Sequence, residues 1–272
     1  MKANLFNLEK PMVMGILNLT PDSFYDGGKY TTAEAALERC KQLIKDGADI
    51  IDIGASSTRP GAKEISIEEE SNRLTEVLKL IRNEFPDILI SVDTYRASIA
   101  RECVAAGADI INDISAGDLD PDMFATIAEL DVPYIMMHMQ GTPETMQSRP
   151  EYTDIIEDIN QIFFKKITQL NNLGFDKIIL DPGFGFGKTL KQNYRLLKKI
   201  AAFRFYGCPV AMGISRKSMI NQVLDIQADE ALNATTVLNT IAIQKGVDII
   251  RVHDVKEVRE AITLIEYMKN NG

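Results

Sequence analysis

Asp93 and Asp181, with Asn112, each follow a strongly apolar run: ILISVDT, KIILDPG and DIINDIS. A carboxylate behind such a run is partly buried, and an unpaired buried carboxylate is costly, so each needs hydrogen-bond donors. A flat heterocycle with an amidine- or guanidine-like edge offers paired N–H groups to a carboxylate, and Asn112 can add one donor and one acceptor. A second set is cationic. Arg59, Arg251, His253 and Lys217 stand without a local excess of acids in the sequence, a combination suited to phosphate or diphosphate, with arginine supplying a bidentate fork. Helix capping and mutual salt bridges compete with both readings, and would satisfy any one of these residues alone.

These side chains recur at the ends of short strands. MVMGILNL, DIIDIG, ILISVDT, DIINDIS, PYIMMHM, KIILDPG, PVAMGIS and DIIRVHD are brief β-branched or apolar runs, each followed by a longer amphipathic stretch. Eight strands and eight helices within 272 residues predict a (β/α)8 TIM barrel forming a single domain over 1–272, with a doubly wound open sheet as the alternative. The segments GADIIDIG, GADIINDIS and GVDIIRVHD echo one another, each placing a helix-ending glycine before a strand. Both folds bind ligands at the C-terminal ends of strands. There the sequence places Asn18, Ser57, Thr58, Arg59, Asp93, Asn112, Asp113, His138, Asp181, Lys217, Arg251 and His253. The Gly/Pro/Ser-rich segments TPDSFYDGG (20–28) and STRPGA (57–62) lie on the same side, as lids would.

A formal charge of -9 argues against a nucleic-acid or anionic-membrane partner. Three cysteines, at 40, 103 and 208, have no CxxC spacing and predict reduced thiols in a cytoplasmic protein. The apolar N-terminal run is too short to span a bilayer and reads as a first strand. DPGFGFGKT (181–189) imitates a phosphate loop, yet a Gly-x4-Gly-Lys-Thr register needs glycine at 182, where proline stands. The expectation is instead that Gly183, Gly185 and Gly187 turn the backbone around a ligand, and that Lys188 opens the next helix from the solvent side. The last two helices carry apolar stripes wider than one barrel face needs, so one of them is a candidate dimer face.

NLTPDSFYDGG, STRPGA, SVDT, INDIS, MHMQGTP, DPGFGFGK, SRKS and RVHDV together resemble dihydropteroate synthases, in that family's order and spacing over nearly the whole chain. The resemblance implies condensation of a dihydropterin diphosphate with p-aminobenzoate in folate synthesis, on a (β/α)8 barrel that acts as a homodimer, with Mg2+ accompanying the diphosphate. It implies that Asp93, Asn112, Asp181 and Lys217 hold the pterin beside Met137, Met139 and Phe186. Thr58, Arg59, Arg251 and His253 would meet the diphosphate, Asn18 its Mg2+, and Phe186 with Ser218 the p-aminobenzoate. Asp93, Asp181, Lys217, Arg251 and His253 are the expected catalytic set. Ala55, Ser56 and Ala116 depart from the family's GGESTRPG and INDISGG.

Three rivals remain: a pterin-binding methyltransferase domain, which needs no diphosphate site; a Schiff-base aldolase using Lys217, which needs that lysine desolvated with a lowered pKa; and a pterin-binding regulator without turnover. STRPGA, Lys217 and RVHDV favour the synthase. A neutral aryl amine needs no strong base, so the expected work of the site is stabilising departing diphosphate and the cation left on the pterin, by a dissociative path under closed loops.

Overall fold

A computed structural model describes residues 5–19, 32–55, 65–141 and 152–271. Eight parallel strands lie in it: β1 (Met12–Asn18), β2 (Ile50–Gly54), β3 (Leu89–Asp93), β4 (Ile110–Asp113), β5 (Tyr134–Met137), β6 (Ile178–Asp181), β7 (Ala211–Met212) and β8 (Ile249–Val252). They hydrogen-bond in the order β6-β5-β4-β3-β2-β1-β8-β7, and a parallel bridge between Leu180 and Val210 joins the two ends. The fold is the expected (β/α)8 barrel. A closed barrel leaves no sheet edge, which is why strands this short can be stable.

The helices are α1 (Thr32–Lys45), α2 (Ile67–Glu84), α3 (Ala97–Ala105), α4 (Met123–Leu130), α5 (Ile155–Asn172), α6 (Leu190–Lys199), α7 (Ser218–Leu224), α8 (Leu232–Gln244) and α9 (Val255–Asn271). That is nine α-helices among the described residues rather than eight. The extra one arises between β7 and β8, where Asp225 at φ 54° ends α7 and the chain restarts as α8. Local signals set other boundaries: Asp154 caps α5 through the N–H groups of Ile156 and Glu157, and Thr189 and Gln192 form a capping box on α6.

Side chains alternate across each strand. One set, including Val13, Leu17, Ile51, Ile53, Val92 and Ile111, packs outward with Leu43, Leu78, Ile99 and other helix residues in the larger apolar cluster. The other set points into the barrel. Its lower tier, with Met14, Ile50, Leu89, Ile110, Ile135, Ile179 and Ile249, makes a separate apolar cluster, which Leu5 joins. The next inward positions along β2, β3, β4, β6 and β8 are Asp52, Ser91, Asn112, Asp181 and Arg251.

The glycine echo has a structural basis on the N-terminal side of the barrel. Gly47, Gly107 and Gly246 have φ of 102°, 111° and 86°, and the aspartate two residues after each accepts a backbone N–H from a neighbouring strand. Asp49 receives Val13 N at 2.8 Å, Asp109 receives Ile90 N at 2.9 Å, and Asp248 receives Val210 N at 2.8 Å. An arginine then bridges each glycine carbonyl to its aspartate: Arg259 at Gly47 and Asp49, Arg82 at Gly107 and Asp109, Arg204 at Gly246 and Asp248. The repeat is a staple used three times.

Candidate active site

Strand register brings the polar residues onto neighbouring rungs. Gly54 pairs with Asp93, and Asp93 with Asn112, so one carboxylate and one amide stand side by side; on the opposite wall Met137 pairs with Asp181. Asp52 lies one inward step below Gly54 and is fully buried. Arg251 crosses the barrel from β8, its Nε donating to Asp52 Oδ2 at 2.5 Å and its Nη2 to Asp93 Oδ2 at 2.9 Å. Asn112 Nδ2 lies 3.4 and 3.3 Å from the two oxygens of Asp52. The expectation that Arg251 stands without nearby acids is therefore corrected, as is the expectation that Asp93 depends on a ligand for donors. Asp52 was missed, although the alternation in DIIDIG already puts it in phase with Gly54.

Asp113, next to Asn112, points the other way. It accepts from Tyr134 Oη at 2.6 Å, Ser115 N and Oγ at 2.7 Å each, and Gly117 N at 2.7 Å, and so shapes the loop after β4. In that loop Ala116 adopts φ 51°. This is a left-handed conformation that glycine, the residue of the resembled pattern, takes without strain. Ala55 is not among the positive-φ residues.

The 181–189 loop packs differently from the expectation. A Cβ on Gly183 would lie 2.0 Å from the carbonyl oxygen of His138, and one on Gly187 2.6 Å from that of Gln140. These two glycines let the loop press on the segment leaving β5, and of the three only Gly185 faces Lys217. Lys188 is buried, not on the solvent side, and its Nζ donates to His138 O at 3.3 Å and Phe186 O at 2.9 Å. Asn193 of α6 accepts Gly185 N at 2.7 Å and donates to Lys188 O, and Tyr152 Oη donates to Gly187 O. The loop is thus tied on three sides. His138 packs against Tyr152 and Phe163 of the helical layer, so this strand-end histidine belongs to the shell outside the barrel.

Half-buried Phe186 carries its ring 4.8 Å from Lys217 Nζ. Lys217 also donates to Phe184 O. It ends a turn fixed by Arg216, at φ 56°, whose guanidinium makes two bonds to Asp254 at 3.0 and 2.7 Å and so ties the loop after β7 to the loop after β8. Ser218 follows, exposed, as the first residue of α7. Ser215 Oγ accepts His253 N at 3.3 Å and lies 3.0 Å from His253 Nδ1. Ser215 Oγ thus holds both the backbone and the ring of His253. Asn18 pairs with Gly54 at the same end of the barrel, Met137 is buried and Met139 half-buried. Thr58, Arg59, Ser56 and the two expected lids lie outside the described residues.

Burial sets the electrostatics. It pushes the Asp93 carboxyl up, against the pull of Arg251, and does the same to Asp181, which Gly183 N and Lys217 oppose. Burial alone would pull the Arg251 guanidinium down, but Asp52 and Asp93 more than reverse it. Lys217 is lowered to about 8 by desolvation, with Asp181 opposing. That desolvated lysine meets the aldolase's requirement, so proton affinity alone does not separate the rivals. Asp52, Asp93 and Asp181 thus stand with Arg251 and Lys217 in one mouth, a set of acceptors and donors suited to a guanidine-like ligand edge.

Fold and site together define a barrel enzyme whose mouth is built for a polar heterocycle, and the pterin binding enzyme family matches residues 14–253. The dihydropteroate synthase of Escherichia coli K12 is 45% identical over 262 residues, covering 96% of this chain and 92% of that protein. Among solved structures, the Yersinia pestis dihydropteroate synthase with a sulfonamide drug complex superposes with a TM-score of 0.91 at 41% identity, covering 98% of this chain and 96% of that one. The Xanthomonas albilineans dihydropteroate synthase with 4-aminobenzoic acid gives a TM-score of 0.91 at 36% identity, with coverages of 97% and 95%. The chain belongs to the pterin-binding enzymes, in their dihydropteroate synthase branch.

Proposed function

We infer that this protein condenses 6-hydroxymethyl-7,8-dihydropterin diphosphate with p-aminobenzoate to give 7,8-dihydropteroate and diphosphate. One observation carries the reading: Asp93, Asn112, Asp181, Lys217 and Arg251 converge at the C-terminal end of one barrel, in a chain 45% identical to a synthase over nearly its whole length. The methyltransferase, aldolase and regulator readings have no comparable support. In the assay that tests it, the protein is mixed with both substrates and Mg2+. Release of diphosphate that requires the amine is expected; no release overturns the reading.

Asp93, Asn112 and Asp181 take the donors of the pterin edge, Met137, Met139 and Phe186 flank its apolar faces, and Lys217 donates to the ring. Thr58, Arg59, Arg251 and His253 receive the diphosphate. Phe186 and Ser218 seat p-aminobenzoate. The C–O bond to diphosphate breaks with both electrons leaving on oxygen, the amine lone pair forms the new C–N bond, and the anilinium proton passes to solvent. Carboxylates beside the ring favour cation development before attack. Positional exchange of bridging and non-bridging oxygens in the diphosphate, without the amine, tests this dissociative order; no exchange supports concerted attack.

Among the described residues no group of three or more His, Cys, Asp or Glu could hold a metal. Asn18 offers one hard oxygen and would hold Mg2+ only as a partner of the substrate diphosphate, where the ion would supply neutralisation of leaving-group charge. No helix among the described residues is long and apolar enough to cross a membrane. A cytoplasmic setting agrees with Cys40 and Cys103, both buried and free. We also propose a homodimer through α8 and α9. The groove between these helices, about 440 Å³, is lined by Leu232, Thr236, Ala261, Leu264 and Ile265, and Leu264 and Tyr267 are 71% and 70% exposed. Light scattering at twice the chain mass is the expected result.

A further inference from the structure

One guanidinium, that of Arg251, spans two carboxylates of unequal access. Asp52 accepts its Nε, has Asn112 beside both oxygens and is 0% exposed, whereas Asp93 accepts Nη2 at 2.9 Å and keeps 15% of its side chain exposed. A ligand entering from the C-terminal end meets Asp93 and Asn112 first. It reaches Asp52 only by removing Arg251 and Asn112 together. A heterocycle with a guanidine-like edge offers Asp93 the same kind of paired donors that Arg251 does, so ligand and arginine compete for one acceptor. If Arg251 yields Asp93 while keeping Asp52, its charge stays paired inside the barrel and the exchange never strands a buried cation.

We propose that Asp52 is a positioning residue: it is the resident partner of Arg251, and Asp93 is the exchangeable one that the substrate takes over. This rests on the pterin reading of the site and deepens it. The exchange also reconciles two roles of Arg251, which is held by carboxylates before substrate arrives and whose Nη donors are needed by the diphosphate afterwards. Asn112, adjacent to Asp93 in register and in contact with Asp52, links the two carboxylates.

The probe is a 2-amino-4-oxopteridine without diphosphate, titrated by calorimetry into the wild type and Asp52→Asn. With asparagine at 52, Arg251 has one carboxylate left and does not surrender it, so affinity falls about tenfold or more. The KM for p-aminobenzoate stays within about threefold, which a general loss of structure would not allow. Equal affinity in both proteins, with the wild type binding, overturns the inference alone. A wild type that does not bind overturns the functional reading and the inference with it. A crystal structure of the wild type with the pteridine decides the matter even if Asp52→Asn does not fold. Arg251 should remain on Asp52 and be off Asp93; an arginine still on Asp93, or gone from Asp52, overturns the proposal.

Discussion

The two ends of the barrel interior are built from the same strands and obey opposite rules. Below, Ile50, Leu89, Ile110, Ile179 and Ile249 fill the space with apolar side chains, and three arginine staples close the N-terminal rim. Above, one alternation further along the same strands, Asp52, Asn112 and Asp181 are buried and Arg251 is partly buried, all with polar or charged side chains. The lower tier gains from leaving water. The upper tier loses solvation and recovers only part of it in ion pairs, which is a poor arrangement for stability and a good one for binding a polar ring. Stability and function are therefore separable by a two-residue step along a strand.

β6 gives the sharpest way to break that division, because Ile179 and Asp181 both point inward from it. Asp181→Asn should lower kcat/KM about a hundredfold and leave the Tm unchanged or raised, since a desolvated carboxylate has been removed. Ile179→Ala should lose about 2–5 kcal/mol of stability and keep the kcat of the folded enzyme. Steady-state kinetics beside thermal unfolding read both; an Asp181→Asn protein that loses stability instead of activity would remove the distinction. Arg82→Met breaks a staple whose Nη2 bonds Asp109 at 2.6 Å and Gly107 O at 2.9 Å. It should cost about 1–3 kcal/mol in denaturant titration, with kinetics unaffected.

The same division explains what was legible in the sequence. Strand period and the helix-like spacers are local properties, so the barrel and the C-terminal placement of Asp93, Asn112, Asp181, Lys217 and Arg251 could be read directly. Asp52 could not be read as readily, because it sits inside DIIDIG and not at its end, and only its partner 199 residues away reveals its charge as used. The glycines of the echo were visible, but the arginines that hold them lie between 25 and 212 residues away in the sequence. Lys188 was misplaced for a related reason: an amphipathic helix start predicts an exposed lysine, and nothing local announces that the carbonyls of His138 and Phe186 wait for it.

Lys188 belongs to the upper tier by burial, yet its role is to hold the backbone that carries Phe186. Lys188→Met keeps the apolar length and removes the donors to both carbonyls. The expected outcome is a rise of about tenfold in the KM for p-aminobenzoate, a smaller change for the pterin substrate, and partial recovery in Lys188→Arg. Equal shifts in both KM values would assign Lys188 to the scaffold alone.

The smallest effect concerns Lys217, and in it stability and function run in opposite directions over one pH range. Desolvation lowers its ammonium to about 8 in the folded protein, whereas the unfolded chain holds the proton up to the ordinary lysine value of 10.5. Between those two values the unfolded state binds more protons, so stability rises with pH there. The cation that Asp181 and the Phe186 ring face is lost over the same interval. The wild-type kcat/KM should therefore fall by about half near pH 8 and continue downward. Lys217→Arg stays protonated and should flatten that limb, while Lys217→Met should lose the rise in Tm between pH 8 and 10.5. An alkaline limb that persists unchanged in Lys217→Arg would move the titration to another group and place Lys217 with the scaffold side of the barrel.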